Sequence, residues 1–476
     1  MIITFIDPPP SKDSRIPERV FGCTYGLYAM PNIFLLTAAA VLEQRGHRVR
    51  YINTPLKKWG EHKFVAFLEH DTSDVYIIYA VNLSYDTDMN AVSRIKRQKP
   101  RAKIVFIGPA PTSHDSKYII APDIFCVRGE PDFALADLID HINTPEKAAN
   151  VSYLRAGKVV ANPATEPIKD LDTIPFPARH LIDDGGYFNP KFKTPVKRFT
   201  VVLTSRGCPY PCSFCVPNSL SFATEIEYKK THNKKPPYRV RSPQNVLKEL
   251  RTLKKSGFTH ISFIDDEFTI NKKRVLEICH GLEGLNLSWG CLARADSLDE
   301  ALVHQMAKAG CEYVDIGVES LDQSILDDIK KNIRVETIQS ATQLLKKEGI
   351  FAKLNILLGA SERETIETIR KTIDGVIALK PDSIMFSLCN PFPGTDYYTL
   401  SKEKGYFVKG DYYPIDVQKE TTISLPHISK EQMEKEIRRA NRRFFLSPSF
   451  IANNIYRLRS PLGLIKSLSA LYKKIF

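Results

Sequence analysis

The stretch "TSRGCPYPCSFC", Thr204 to Cys215, carries three cysteines, Cys208, Cys212 and Cys215, directly after the apolar run Thr200 to Leu203. The chain has nine cysteines in 476 residues, so a third of its thiols sit on one loop. The spacing is C-x3-C-x2-C. Thiolates so spaced can each take a different corner of an iron–sulfur cubane, leaving the fourth iron open. Electron-transfer clusters mostly use four cysteines, so an open iron points to a bound metabolite. The alternatives are a zinc site, which wants a fourth ligand and often a second cysteine pair, or three unrelated buried thiols. Pro209 and Pro211 stiffen the loop, and Arg206 and the backbone N–H groups are placed to balance an anionic cluster.

Outward from the loop, the sequence reads as a βα series. Six strand candidates are spaced by helical stretches: 199–203, 260–264, 288–292, 313–317, 353–358 and 383–387. In "SPQNVLKELRTL", Ser242 is an N-cap and Pro243 the first helical residue. Six such units predict a partial barrel, whose chemistry lies at the strands' carboxyl ends. The cysteine loop follows the first strand and shares that end. The Lys-rich segment "EIEYKKTHNKKPPYRVR" (225–241) reads as a solvated loop.

Ahead of this series, apolar runs "IITFID", "VRYIN", "DVYIIYAV" and "KIVFIG" alternate with helical stretches, which predicts a doubly wound parallel sheet. Its carboxyl ends carry Pro8 to Ser11, Val81 to Tyr85 and Gly108 to Thr112. The expected fold class is therefore α/β. The expected domains are a Rossmann domain over 1–145, a Pro-rich linker over 146–197, the partial barrel over 198–410 and a basic helical region over 411–476. Net charge is +13, and from Ile437 to Phe476 there is no Asp or Glu. The other six cysteines, Cys23, Cys126, Cys279, Cys291, Cys311 and Cys389, are scattered singly, which argues against a secreted disulfide framework. No signal-like start and no apolar run of spanning length is visible, so a cytoplasmic location is expected.

The loop and its setting resemble the radical S-adenosylmethionine (radical SAM) enzymes, and the resemblance runs on to about Tyr398. It implies a [4Fe–4S] cluster on Cys208, Cys212 and Cys215, with SAM on the open iron. The acidic motif "FIDDEFTIN" would place Asp265, Asp266 and Glu267 near the SAM amine, and "CLARADSLD" would place Arg294 at its carboxylate. "DIGVESLD" would bring Glu319 and Ser320 to the same rim, and "NILLGASERET" would bring Gly359 near the adenine, with Ser361 where the family has proline. A second cluster from Cys291, Cys311 and Cys389 is a lesser alternative.

The doubly wound domain, with "GHRVRYIN", "KIVFIGPAPTSHD" and "DIFCVRGEPDFALADLI", and with "LDTIPFPARHLID" ahead of the barrel, resembles the cobalamin-binding domain of B12-dependent members, of the flavour of the anaerobic porphyrin-ester cyclases and hopanoid-modifying enzymes. Pro109 stands where the family usually has a second glycine, and no Asp-x-His-x-x-Gly stretch offers cobalt a histidine. The resemblance implies cobalamin, methyl transfer to an unactivated carbon of a lipid or tetrapyrrole, and a flavodoxin or ferredoxin as electron donor. Without cobalamin, it implies cyclisation, dehydration or rearrangement. A non-catalytic cobalamin or redox sensor is the rival from another class. The basic tail, rich in Phe, Ile, Leu and Tyr, reads equally as an end cap of the barrel or as a peripheral contact with the inner face of a membrane. Nucleic acid carries less weight.

Overall fold

The computed structural model describes residues 1–10, 15–26, 28–182, 186–408, 410, 415–448 and 450–451. They fall into two units. One comprises Met1–Phe188, Arg198–Pro209 and Val216–Glu249; the other comprises Asn189–Lys197, Tyr210–Cys215 and the chain from Leu250 onward.

The first unit runs β1 (Ile2–Asp7), α1 (Ile33–Gln44), β2 (Arg48–Asn53), α2 (Glu61–His70), β3 (Val75–Tyr79), α3 (Tyr85–Gln98), β4 (Lys103–Ile107), α4 (Pro109–Ser113), α5 (Asp115–Tyr118), β5 (Ile124–Val127), α6 (Pro131–Asp140), β6 (Val151–Arg155) and β7 (Lys158–Ala161). The sheet order is β2-β1-β3-β4-β5-β6-β7. It is parallel through β5 and antiparallel at the last two joins. β3 is buried along its whole length, as a strand covered on both faces must be. The hairpin β6–β7 opens the stretch expected as a linker: "VSYLRAGKVVA" alternates and turns at Ala156–Gly157, both at positive φ.

Further along, this unit contains β8 (Phe199–Val202), β9 (Ser205–Arg206), α7 (Ser219–His232) and β10 (Arg239–Val240), and α8 (Pro243–Lys255) begins in it. Two readings need correction here. The expected solvated loop over 225–241 begins as the last two turns of α7, whose Glu225 and Glu227 are buried. Their charges are met by Lys229 at 2.8 Å and Arg128 at 2.8 Å. Arg206, expected at a cluster, instead gives Asp132 two hydrogen bonds of 2.8 and 3.0 Å, and lies 3.4 Å from Glu130. Within the Pro-rich "PFPARHL", Ala178 and Arg179 turn inward while His180 is exposed. Arg179 is buried, bonding Thr200 at 3.0 Å and Val201 O at 2.8 Å, with an ion pair to Glu249 at 2.6 Å.

The second unit contains α9 (Lys272–Leu282), α10 (Glu300–Lys308), α11 (Gln323–Asp328), α12 (Val335–Lys347), α13 (Ile366–Ala378), α14 (Asp396–Glu403) and α15 (Lys430–Phe445) around β11 (His260–Phe263), β12 (Ser288–Ala293), β13 (Cys311–Glu319), β14 (Phe351–Leu358) and β15 (Ser383–Leu388). These five strands pair in parallel, each with the next. Ala352, Leu354, Ile356 and Leu358 of β14 are buried while Lys353, Asn355 and Leu357 between them are partly exposed. That alternation separates the helix-covered face from the other. Gly290 meets Tyr313 so closely that a methyl group there would lie 2.2 Å from the ring.

The amino-end mouth of these strands is closed by Asn189–Lys197. Asn189 bonds Ser262 and Tyr313, both at 3.1 Å, and Phe192 packs edge-on to His260 and Tyr313. Lys191 Nζ sits 2.6 Å from Asp315 and 4.1 Å from the Tyr313 ring centroid. Burial disfavours the Asp315 charge, but Lys191 and Lys353 outweigh it and hold the carboxyl below its ordinary value. Of the region expected as a basic helical tail, α15 is present, while residues 411–414, 449 and 452–476 lie outside the described residues.

Candidate functional site

The strands of the second unit end in loops, and these loops gather the charged groups. The Tyr210–Cys215 segment is pinned by backbone: Ser213 N donates to Ile329 O at 3.2 Å, and Tyr397 N donates to Ser213 O at 3.0 Å. Tyr397 also donates its hydroxyl to Gly359 O at 2.9 Å. One tyrosine at the start of α14 thus ties the cysteine loop to the end of β14. Cys208, Cys212 and Cys215 are partly exposed, whereas Cys126, Cys279, Cys291, Cys311 and Cys389 are buried. Burial first, then neighbouring thiols and carboxylates, pushes the Cys291, Cys311 and Cys389 thiols well up. They are packed as neutral thiols, poor as cluster ligands. Among the described residues no three Cys, His, Asp or Glu side chains are already gathered at metal-holding distance, so the loop thiols would turn onto a cluster as it binds.

Two cations stand beside Cys212. Arg294, at the end of β12, lies with its guanidinium 3.6 Å from the Tyr210 ring centroid. It chelates Asp296 through two 3.0 Å bonds and donates to Lys331 O at 2.8 Å. Lys331 is buried and meets Glu319 at 2.9 Å. Burial works against both charges. Asp296, Cys212 and Tyr210 outweigh it at Arg294, and Glu319 and Cys212 outweigh it at Lys331, so both cations are held above their ordinary pKa. An anionic iron–sulfur cluster, or a metabolite carboxylate, fits such a pair. Lys331 escaped the sequence reading because "DDIKKNIR" looks like a solvated charge run, with no signal that one of its lysines turns inward.

Glu267 faces another way. Its Oε1 accepts from Thr269 N at 2.9 Å and from Arg294 N and Ser297 Oγ at 3.4 Å, while its buried Oε2 has no hydrogen-bond partner. Burial pushes its pKa up. An orphaned buried carboxylate oxygen wants a donor, and an ammonium group supplies one. Asp265 is fully buried and Asp266 partly so.

Glu319 sits at φ 65° where the pairing of β13 and β14 slips by one residue. A side chain at Gly317 would lie 2.9 Å from the Glu319 carboxylate and 3.0 Å from Lys331 Nζ, so glycine leaves room for the ion pair. Ser320 is turned elsewhere, its hydroxyl 2.9 Å from Thr372. The structure therefore brings Cys212, Arg294 and Glu319 together through Lys331, and places Ser320 in the helix layer. Ser361 donates to Asp328 at 2.6 Å.

Gly359, at φ 82°, gives its N–H to Glu364, and a Cβ there would meet Met433 Sδ at 2.8 Å. Burial pushes the Glu364 carboxyl up to about 8. A carboxyl protonated in the fold stabilises fully below its ordinary pKa of 4.5, and this contribution is lost as pH rises to about 8. The free energy of unfolding should therefore fall across that window, by up to about 1.4 kcal/mol per pH unit for one proton. Glu364→Gln should remove that part of the slope, and an unchanged slope would refute the assignment.

In the first unit, the point where strand order reverses, between β1 and β3, is where such sheets open a crevice. Buried Arg19 occupies it. Arg19 bonds Asp88 at 2.7 and 3.3 Å, Ser84 at 3.3 Å and Tyr79 O, and lies 3.7 Å from Asp7. Gly108, at φ 106°, turns the chain into α4. No histidine stands among Asp7–Pro10, Val81–Tyr85 or Gly108–Thr112. The crevice is filled by Arg19 and its partners, and none of these positions offers a metal a histidine.

The profile of the radical SAM superfamily matches residues 202–376. The "uncharacterized methyltransferase PH0819" of Pyrococcus horikoshii is 31% identical over 69% of this chain and 69% of its own length. The anaerobic magnesium-protoporphyrin IX monomethyl ester cyclase of Rubrivivax gelatinosus is 29% identical over 68% of this chain and 57% of its own. Among solved structures, the cobalamin-dependent SAM radical enzyme OxsB, with aqua-cobalamin and SAM bound, superposes with a TM-score of 0.69 at 15% identity, covering 99% of this chain and 70% of its own. That likeness is one of fold.

Proposed function

Because the chain belongs to the radical SAM superfamily, we propose that it cleaves SAM with a [4Fe–4S] cluster on Cys208, Cys212 and Cys215 and transfers a methyl group to an unactivated carbon of an apolar metabolite, a lipid or a tetrapyrrole. The observation that carries this is the Arg294–Lys331–Glu319 group beside Cys212, whose two cations would suit an anionic cluster and a carboxylate. When bound, the cluster supplies the electron that breaks a sulfonium C–S bond, and cobalamin supplies the methyl group.

The chain's own residues orient and shield. Tyr397 and Ile329 hold the loop. Lys331 and Arg294 offset negative charge at the thiolates and offer a carboxylate its partner. Glu267 Oε2 accepts from an ammonium, and Asp265 and Asp266 precede it on the same loop. The methyltransferase and cyclase names of the relatives support the reaction class, and the OxsB likeness supports cobalamin. A flavodoxin or ferredoxin would deliver the electron.

The test is anaerobic purification from cells supplied with cobalamin, then dithionite and SAM. Formation of 5′-deoxyadenosine with an iron–sulfur absorption band is expected, and its absence sinks the reading. A corrinoid band in the same spectrum decides for methyl transfer. Without that band, the cyclase likeness favours a radical cyclisation instead.

A further inference from the structure

We propose that the carboxyl-terminal half of α15 docks on an anionic lipid surface. The helix is two-sided. Met433, Ile437, Ala440, Phe444 and Phe445 are buried, and the helix packs on β15 and α13. The opposite face carries exposed Lys435, Arg438, Arg439, Arg442 and Arg443. Acidic groups are confined to the other half, at Glu431, Glu434 and Glu436. Glu436 is buried and takes Arg370 at 2.7 Å and Arg439 at 3.7 Å, and Arg443 reaches Asp374.

The helix dipole accounts for bases in the last turn only, and Arg438 and Arg439 lie further back. Directly beyond the basic face stand Leu446, 55% exposed, and Ile451, 49% exposed. The sequence that follows, 452–476, holds five Lys or Arg, no Asp or Glu, and many Leu and Ile. Guanidinium groups beside exposed aliphatic side chains match a surface that offers phosphate and hydrocarbon together. Nucleic acid offers the anions without the hydrocarbon, and an acidic protein is the rival that the experiment below separates. The contact proposed is a peripheral one, and no helix among the described residues is long and apolar enough to cross a membrane. An apolar substrate would be met at that surface, but docking is independent of the reaction proposed above.

The experiment is sedimentation of the full chain with vesicles of phosphatidylcholine alone, or of phosphatidylcholine mixed with phosphatidylglycerol. The chain should pellet with the mixed vesicles and not with the neutral ones, and salt should release it. Arg438→Gln with Arg439→Gln should weaken partitioning roughly fivefold per charge removed. Leu446→Ser with Ile451→Ser should weaken it as well. All four side chains are exposed, so circular dichroism should show an unchanged fold. Equal pelleting with both vesicles, pelleting with neither, or indifference to the arginine substitutions overturns the proposal. So does loss of binding to an acidic flavodoxin in the arginine variant without any vesicle binding by the parent.

Discussion

Cys212→Ala should lose its iron on anaerobic reconstitution and lower 5′-deoxyadenosine formation by about a thousandfold or more, some 4 kcal/mol of barrier. Two thiols from the loop cannot hold a cubane that already spares one iron. The substitution also removes one of the negative partners that favour the charges of Arg294 and Lys331, leaving Asp296 and Glu319 in place. Cys291→Ala is the control. That thiol is fully buried, so its loss should cost stability while iron content and product stay unchanged. Lys331→Met separates charge from ligation. Iron should remain and turnover fall, with Lys331→Arg restoring part of it. Iron and product retained at parental levels in Cys212→Ala would remove the basis of the proposed chemistry.

Arg19→Met should destabilise the first unit by about 3–5 kcal/mol, the usual cost of stranding buried charge by removing one partner. Arg19 and Asp88 are both buried, and their pair is joined by Asp7, Ser84 and the Tyr79 carbonyl. Burial pushes Asp7 and Asp88 upward, and Arg19 pulls them back. Without the guanidinium, both carboxyls rise further. A raised folded pKa gives stability at low pH that is lost as pH rises, so the deficit should be smallest in acid and grow toward neutrality. Asp88→Asn in the Arg19→Met background should recover part of it. Urea midpoints across pH measure both, and a deficit under about 1 kcal/mol would show that the switch point is not latched by this pair.

Legibility followed the range of the interaction. The βα order, the strands from β11 to β15 and the cap at Ser242 rest on neighbours in sequence. The 225–241 stretch was misread because Lys229 and Lys230 look solvated, yet the buried Glu227 of the same helix meets Arg128, 99 residues earlier. Arg206 was assigned to the cluster by its nearness in sequence to Cys208. Asp132 and Glu130 claim it from another part of the chain. Lys331 carried no local mark at all.

The sequence by itself determined the three-thiol spacing, the two α/β halves and the acidic motif after β11, because each is written in residues a few bonds or one turn apart. Only the tertiary structure decided which charges are paired. It alone brings Lys331 to Glu319, stacks Tyr210 on Arg294, leaves Glu267 Oε2 without a donor and seats Arg19 between β1 and β3. The physical reason is desolvation: a charge excluded from water must find its partner wherever the fold brings one, however distant in the chain.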